Sequence, residues 1–219
     1  QKICKNYLKE CNHILTVSNG LAKAYEEEFL VKTSVFLSCP NYSDIDASSI
    51  DSNVIKIVHH GVANPNRQIE KMIEIVKRLD SRFTFDIYLT GSPSYIDSLK
   101  KLTVDCHRIC IKEPLEFKLI LTTINNYDVG FFYVEPRTFN LKHCLPNKFF
   151  EFIQARLAIA IGPSPEMRDL VEKYDCGIIS ENFTINSMVK ELSSLTPQII
   201  TKLKNNNNFA AKELCFSSE

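Results

Sequence analysis

From about residue 53 to residue 180, short apolar segments alternate with segments in which apolar residues recur at helical spacing. This alternation constrains the fold, because neighbouring parallel strands need a crossover connection and that connection is usually a helix. We therefore predict the α/β class, with a Rossmann-like doubly wound parallel sheet. The predicted strands and helices, in chain order, are residues 55–59, 67–79, 84–89, 94–102, 109–111, 116–124, 129–133, 147–155, 158–161, 165–173 and 177–179.

A more irregular segment precedes the alternating region. Its predicted elements are helices at residues 1–11 and 19–29 and short strands at residues 14–17 and 35–37. Residues 43–53 are rich in Asp and Ser and lack a continuous apolar face. We predict that they form a linker or an exposed loop.

Two helical patterns follow the alternating region, at residues 184–195 and 196–214. The asparagine run 205–208 favours a loop that interrupts the second pattern, because Asn is a poor helix former. The chain is therefore divided into three parts, which are residues 1–52, 53–195 and 196–219.

The charge balance excludes some classes of partner. Lysine and arginine together number 26, aspartate and glutamate together also number 26, and the formal net charge is zero. Such a chain has no overall positive field to attract nucleic acid, so any phosphate ligand needs a local site. The sequence lacks an apolar run of the roughly 20 residues that span a bilayer, and its first residues are too polar for a signal peptide. We expect a cytoplasmic location.

The eight cysteines are spread along the chain, which is typical of buried thiols in a reducing compartment. Cys106, His107 and Cys110 resemble metal ligands in their spacing, but no second cluster follows at zinc-site spacing. The sequence predicts neither a metal nor another cofactor.

Ligands of an open parallel sheet bind at the carboxyl ends of the strands, so the loops after the strands are the candidate sites. The loop after the first strand begins at Gly61 and is predicted to place Arg67 at a helix start. Glycine permits close approach of the backbone to a ligand, and a guanidinium beside helix N-terminal amides makes an anion site. The alternative is a tight turn with an arginine that faces solvent.

A second candidate combines a proline, a lysine and a glutamate at the start of a helix. Pro146 suits a first turn, and the free amides of Asn147 and Lys148 then lie at the positive end of the helix dipole. These groups could hold a diphosphate, and Glu151, about one turn later, could reach a ribose diol beside it. The alternative is a well-capped amphipathic helix with exposed charges.

Taken together, the motifs resemble those of a known family. The motifs in question are Ile14-Leu15-Thr16-Val17-Ser18, Pro40-Asn41, the segment from Gly61 to Arg67, Leu89-Thr90-Gly91, Tyr127-Asp128-Val129-Gly130, Leu145-Pro146-Asn147-Lys148-Phe149-Phe150-Glu151, Pro165-Glu166-Met167-Arg168-Asp169-Leu170-Val171 and Cys176-Gly177. In this order and spacing they resemble the C-terminal domain of GT-B-fold glycosyltransferases. The similarity is to the large retaining family 4 group, which builds capsular, exopolysaccharide and lipopolysaccharide sugars.

This resemblance implies that the chain binds a sugar nucleotide. Arg67 stands where the family usually has a lysine that contacts the donor diphosphate. Glu151 matches the glutamate that holds the ribose hydroxyls, and the loop beginning at Lys112 matches the segment that lines the nucleobase. The implied donor-binding residues are Gly61, Arg67, Gly91, Lys112, Glu113, His143, Pro146, Asn147, Lys148 and Glu151.

Two positions depart from the family pattern. Val62 replaces the arginine that often follows the loop glycine, so Arg67 and Lys148 would carry more of the diphosphate charge. His143 stands where many members have a sugar-contacting glutamate, eight positions before the ribose-binding one. His143 could still bond a sugar hydroxyl, or it could be a loop residue that contacts no ligand.

The resemblance implies transfer of a glycosyl group from a UDP- or GDP-linked sugar to an acceptor hydroxyl. Arg67 and Lys148 would be catalytic, because they would stabilise the negative charge of the leaving diphosphate. The acceptor, a glycan or lipid-linked sugar, would bind through an N-terminal domain of which residues 1–52 are a remnant, and that domain could also bring the protein to the inner face of the membrane. We expect this chain alone to be inactive. The alternatives are a non-catalytic nucleotide-sugar-binding module and a sugar-nucleotide epimerase.

Overall fold

A computed structural model of the protein describes residues 2–218, with side chains for residues 3–217. Most of this part forms one parallel sheet with helices on both faces. The elements are α1 (Lys2–Tyr7), β1 (Leu15–Thr16), α2 (Asn19–Phe29), β2 (Ser34–Val35), β3 (Ile55–Ala63), α3 (Ile69–Lys77), β4 (Phe83–Gly91), α4 (Pro93–Thr103), β5 (Ile109–Lys112), α5 (Ile120–Ile124), β6 (Val129–Phe132), α6 (Phe139–Lys142), α7 (Asn147–Gln154), β7 (Ala158–Ile161), α8 (Pro165–Tyr174), β8 (Gly177–Ile179), α9 (Ile185–Ser193) and α10 (Pro197–Glu213). Short 3-10 turns lie at Leu8–Glu10, Pro65–Arg67, Phe117–Leu119 and Phe216–Ser218.

The main sheet has the strand order β5-β4-β3-β6-β7-β8, and every neighbouring pair is parallel. The chain enters this sheet at its central strand β3 and continues outward through β4 to β5. It then returns to add β6 on the other side of β3. The order therefore reverses between β3 and β6, the place at which doubly wound sheets bind ligands. This confirms the predicted fold class. β1 and β2 form a separate parallel pair.

Each face of the sheet buries its own apolar core. Phe131 and Phe132, neighbours in β6, belong to opposite cores because side chains alternate across a strand. The Phe131 core includes α3, α9 and the first half of α10, and the Phe132 core includes α7, α8 and the second half of α10. Burial on both faces explains why β6 and β7 are continuous apolar runs rather than alternating ones.

The first strand is longer than predicted. β3 pairs with β4 from Ile55, opposite Phe83, as far as Ala63, opposite Gly91, so the predicted loop from residue 61 is wrong at its start. The parallel ladder continues past the histidines and through Gly61, whose φ of 134° lies in the range that favours glycine. The connection to α3 therefore begins at Asn64.

The asparagine run does not interrupt the last helix, contrary to the prediction. α10 runs unbroken from Pro197 to Glu213. The Asn207 side chain donates to the backbone carbonyl of Leu157, and Asn208 Oδ1 accepts from Arg156 Nε at 2.9 Å. These tertiary contacts offset the weak helix propensity of asparagine.

Three other boundaries differ from the prediction. The predicted helix at 116–124 is a 3-10 turn, Phe117–Leu119, followed by the short α5. The stretch between the predicted strand 129–133 and the predicted helix 147–155 contains α6, whose N-cap Thr138 accepts from the Leu141 amide. The linker 43–53 is irregular but anchored, since Ser48 Oγ donates to the Asn125 carbonyl at 2.5 Å.

Candidate functional site

The candidate site lies at the carboxyl ends of β3 and β6, where α7 begins. Pro146 is the N-cap residue of α7 (φ −74°, ψ 146°), immediately before the first turn in which we expected it. Asn147 and Lys148 are the first two residues of the helix. Their amides have no partner within the helix and lie at the positive end of its dipole. The helix start therefore adds partial positive charge to this edge of the sheet.

The head group of Lys148 is surrounded by His59 and Gly61 of β3 and Phe132 of β6. Its Nζ is 3.3 Å from His59 Nε2 and 5.5 Å from the centre of the Phe132 ring. A Cβ on Gly61 would lie 2.5 Å from that Nζ, so the glycine leaves the space that the lysine occupies. Burial, and to a lesser extent the charge of Arg67, lower the pKa of Lys148 to about 7, while Glu151 opposes the shift.

Arg67 lies near Lys148, but not at a helix start. It is the last residue of the turn Pro65–Arg67, and Gln68, with a left-handed φ of 52°, separates it from α3. Its charge lowers the pKa values of both Lys148 and His59, so the two cations are close at the same edge of the sheet. Arg67 forms no salt bridge within residues 2–218. Within this part of the chain, Arg67 and Lys148 thus lack a direct carboxylate partner.

Glu151 faces the second histidine of β3. Its Oε2 lies 3.3 Å from His60 Nε2, yet this geometry is not a hydrogen bond and His60 Nε2 has no such partner among the described residues. Burial lowers the pKa of His60 to about 3, with a further contribution from Lys148, so the imidazole is neutral at neutral pH. Burial raises the pKa of Glu151, while Lys148 opposes that change.

Four of the predicted site residues line two separate grooves. Glu151 borders a cavity of about 550 Å³ between the segment 39–43, the start of α5 and Phe216. Gly91, Lys112 and Glu113 instead line a groove of about 360 Å³ beside α4, at the ends of β4 and β5. The structure brings Gly61, Arg67 and Glu151 close to Lys148, and it places Gly91, Lys112 and Glu113 at the ends of β4 and β5.

His143 contacts the N-terminal segment. Its Nδ1 lies 2.7 Å from Glu166 Oε1, and this carboxylate oxygen also accepts from the Gly20 amide at 2.9 Å. Ser18 Oγ donates to the His143 carbonyl at 2.8 Å and also accepts from the Leu21 amide as the N-cap of α2. This network ties α2 to the loop before α7. The sequence prediction had assigned no contact to Glu166.

Several residues of this region were not predicted. His59 and His60 are both buried in the middle of β3, and two successive histidines in an apolar strand are the signal that could have identified them. Arg156 is fully buried with a left-handed φ of 59°, and its Nη2 donates to the Ser43 carbonyl at 2.8 Å. Its guanidinium also lies 5.4 Å from the Tyr42 ring centre, so it holds the segment that walls the Glu151 cavity.

The described residues contain neither a metal cluster nor a membrane-spanning helix. No group of three or more His, Cys, Asp or Glu side chains in that part of the chain could hold a metal ion. No helix there is long and apolar enough to cross a membrane.

No family model matches the sequence, and no curated protein matches it either. Solved structures do match. A mutant of S. aureus TarM in complex with Fondaparinux, alpha-GlcNAc-glycerol and UDP matches with a TM-score of 0.76 and 15% identity, over 99% of this chain and 44% of that one. HepE from Anabaena, in complex with UDP and glucose, matches with a TM-score of 0.76 and 11% identity, over 99% and 63%. WaaG, a glycosyltransferase involved in lipopolysaccharide biosynthesis, matches with a TM-score of 0.69 and 12% identity, over 93% and 59%.

The strand order and the site at the switch point define a doubly wound, Rossmann-like α/β domain. Within that class, the chain has the fold of the C-terminal domain of GT-B glycosyltransferases, as predicted from its motifs. At identities between 11% and 15%, these likenesses concern the fold. The chain spans between 44% and 63% of the length of the three structures.

Proposed function

We propose that this chain is the sugar-nucleotide-binding part of a glycosyltransferase. The observation that carries the proposal is the convergence of Arg67 and Lys148 with the start of α7 at the switch point of the sheet. Two cations without a salt-bridge partner among the described side chains, beside helix amides with no partner inside the helix, suit a diphosphate. The presence of UDP in the TarM and HepE structures supports a nucleotide of this kind, whose base in the present chain would be uracil or guanine.

Five further site residues have proposed roles. Glu151 accepts hydrogen bonds from the ribose hydroxyls in the cavity it borders. The groove of Gly91, Lys112 and Glu113 takes the nucleobase. His143, with Nδ1 held by Glu166, presents Nε2 to a hydroxyl of the donor sugar.

The proposed reaction moves a glycosyl group from the diphosphate to an acceptor hydroxyl. The bond between the anomeric carbon and the diphosphate oxygen breaks, and negative charge develops on that oxygen. The acceptor oxygen bonds to the anomeric carbon, and its proton passes to the departing diphosphate. Arg67, Lys148 and the α7 amides are oriented before the reaction, so they stabilise this charge without reorganisation. We propose no metal or other cofactor, a retaining outcome and a role in surface polysaccharide synthesis. The likeness to WaaG, whose glycosyltransferase activity is involved in lipopolysaccharide biosynthesis, supports the last of these.

Calorimetry with UDP, GDP and the two nucleosides tests the site. Arg67→Ala and Lys148→Ala should each weaken diphosphate binding by about tenfold to a hundredfold, since a charge-assisted hydrogen bond contributes about 1.5–3 kcal/mol. Nucleoside binding should change little.

Arg82→Ala is the matched control. Arg82 lies just before β4, at the amino ends of the strands, and pairs with Asp80 on the surface. This substitution should leave both affinities unchanged. Unchanged UDP and GDP affinities in Arg67→Ala and Lys148→Ala would refute the assignment of the donor site.

A turnover assay tests whether sugar transfer needs more than this chain. We expect the chain to bind the nucleotide but to transfer little or no sugar, because the acceptor is proposed to bind another domain. Efficient transfer by the purified chain would contradict that part of the proposal. Binding without turnover in the full-length protein would favour the non-catalytic binding module.

A further inference from the structure

The hydrogen bonds of His59 determine which ring nitrogen carries the hydrogen. Nδ1 lies 2.8 Å from the Phe131 carbonyl oxygen, and a carbonyl can only accept. Nδ1 is therefore the protonated nitrogen, and Nε2 has a free lone pair. Nε2 in turn lies 3.3 Å from Lys148 Nζ, so the lysine donates to it.

The surroundings of this pair leave the lysine head group little freedom. The His59 and Phe132 rings are nearly parallel, with centroids 6.3 Å apart and an interplanar angle of 13°, and Lys148 also lies over the Phe132 ring. Gly61 forms the third side, where any larger residue would displace the ammonium. Of these three residues, His59 supplies the hydrogen-bond acceptor for the ammonium.

His59 is also protected from protonation, which would remove its acceptor. Its side chain is fully buried in β3. Burial is the largest cause that holds its pKa well below the ordinary value, and the neighbouring Lys148, His60 and Arg67 lower it further. The ring remains neutral, and Nε2 remains an acceptor, over the pH range in which the protein would work.

We propose that His59 is a positioning residue that holds the Lys148 ammonium at the diphosphate site. This inference rests on the proposed function, because it assumes that Lys148 binds the donor. Lysine has a long flexible side chain and no fixed donor geometry. Without the acceptor on His59, its head group would be free to turn toward solvent, and only part of the population would be arranged for the ligand.

The test uses a phenylalanine and a glutamine at this position. His59→Phe keeps an aromatic ring but removes the acceptor, and we expect UDP, or GDP if that is the nucleotide bound, to bind about tenfold more weakly. Uridine or guanosine should bind as before. His59→Gln keeps an acceptor at nearly the same reach and should restore most of the diphosphate affinity.

His60→Phe is the matched control, because it removes the adjacent buried histidine, whose Nε2 lies beside Glu151. The ratio of diphosphate to nucleoside affinity should stay as in the wild type. An equal loss of this ratio in His59→Phe and His60→Phe would overturn the proposal, and so would an unchanged diphosphate affinity in His59→Phe when Lys148→Ala is impaired.

Nitrogen NMR of the ligand-free wild-type chain makes the test independent of nucleotide binding. We expect His59 to be the Nδ1–H tautomer, with an Nε2 resonance that shifts in Lys148→Met. An Nε2–H tautomer, or an Nε2 resonance insensitive to Lys148→Met, would overturn the proposal. Failure of the proposed function would be recognised separately, as loss of any effect of Lys148→Ala on diphosphate binding.

Discussion

Lys204 and Lys148 are both withdrawn from bulk solvent, but their surroundings differ. Lys204, on α10, has a side chain only 1% exposed, and its Nζ donates to Ser48 Oγ at 2.8 Å and to the Tyr127 carbonyl at 2.9 Å. Asp128 Oδ1 lies 3.8 Å from the same Nζ. Lys148 has an imidazole nitrogen and an aromatic ring as neighbours, and it forms no salt bridge in the described part of the chain.

The difference separates a structural charge from one that is available for a ligand. Burial of a cation costs free energy unless a counter-charge and hydrogen bonds compensate it. At Lys204 the compensation comes from the protein, and the lysine joins α10, the linker and the sheet. At Lys148 the compensation is incomplete and a second cation lies nearby, so an anionic ligand would supply what is missing.

Stability measurements should show the largest contrast between the two lysines. Lys204→Met leaves the buried Asp128 carboxylate unpaired, and loss of one partner of a buried pair costs about 3–5 kcal/mol. Lys148→Met removes a poorly compensated charge, so we expect the free energy of unfolding to stay within about 1 kcal/mol or to rise. Urea denaturation of the ligand-free chain at pH 7 measures both.

The double variant Lys204→Met with Asp128→Asn tests the cause of this loss. Replacing both charges should recover part of the stability, because no unpaired carboxylate is left in the core. Equal losses in Lys204→Met and Lys148→Met would contradict the distinction between the two sites.

The sequence predicted features that have a local signal and missed those that depend on long-range contacts. Lys148 and Glu151 were found because a proline, a lysine and a glutamate at a helix start are a local signal. The six strands of the main sheet were also found, since apolar runs bounded by polar residues identify buried parallel strands. His59 was missed because its partner Lys148 lies 89 positions away.

Long-range contacts also account for the errors in the fold prediction. The loop expected at residues 205–208 follows from the local propensity of asparagine, but contacts with Leu157 and Arg156 hold the segment in a helix. The end of β3 was placed too early because His and Gly are weak strand signals, whereas pairing with β4 decides its length. In each case a long-range contact overrode a local preference.

A pH titration of nucleotide binding tests the incomplete compensation at Lys148. Its pKa of about 7 applies without ligand, and a bound diphosphate favours the ammonium form, so binding takes up a proton above pH 7. Affinity for UDP or GDP should therefore be lower at pH 7 than at pH 6.5 and fall by a further factor of roughly ten to twenty between pH 7 and pH 8.5, as the charged fraction declines. Calorimetry over this range measures the change.

Two controls make that titration specific. Lys148→Arg should bind the diphosphate with little dependence on pH, because a guanidinium stays charged throughout this range. Nucleoside binding by the wild type should also be flat. A diphosphate affinity that is equally flat in the wild type would mean that Lys148 does not change its charge at the site.

The smallest expected effect is that of a substitution at Glu151, whose carboxylate lies near the Lys148 head group. Glu151→Gln removes its charge but keeps a hydrogen-bond acceptor, so the proposed contact with the ribose should weaken by about 1 kcal/mol, or roughly fivefold in affinity. Because the ribose is common to both ligands, nucleoside and diphosphate should weaken alike, whereas Lys148→Ala should affect chiefly the diphosphate. The measurement is the ratio of the two dissociation constants in each variant. If Glu151→Gln changes this ratio as Lys148→Ala does, then Glu151 acts through the charge of the lysine and not on the ribose.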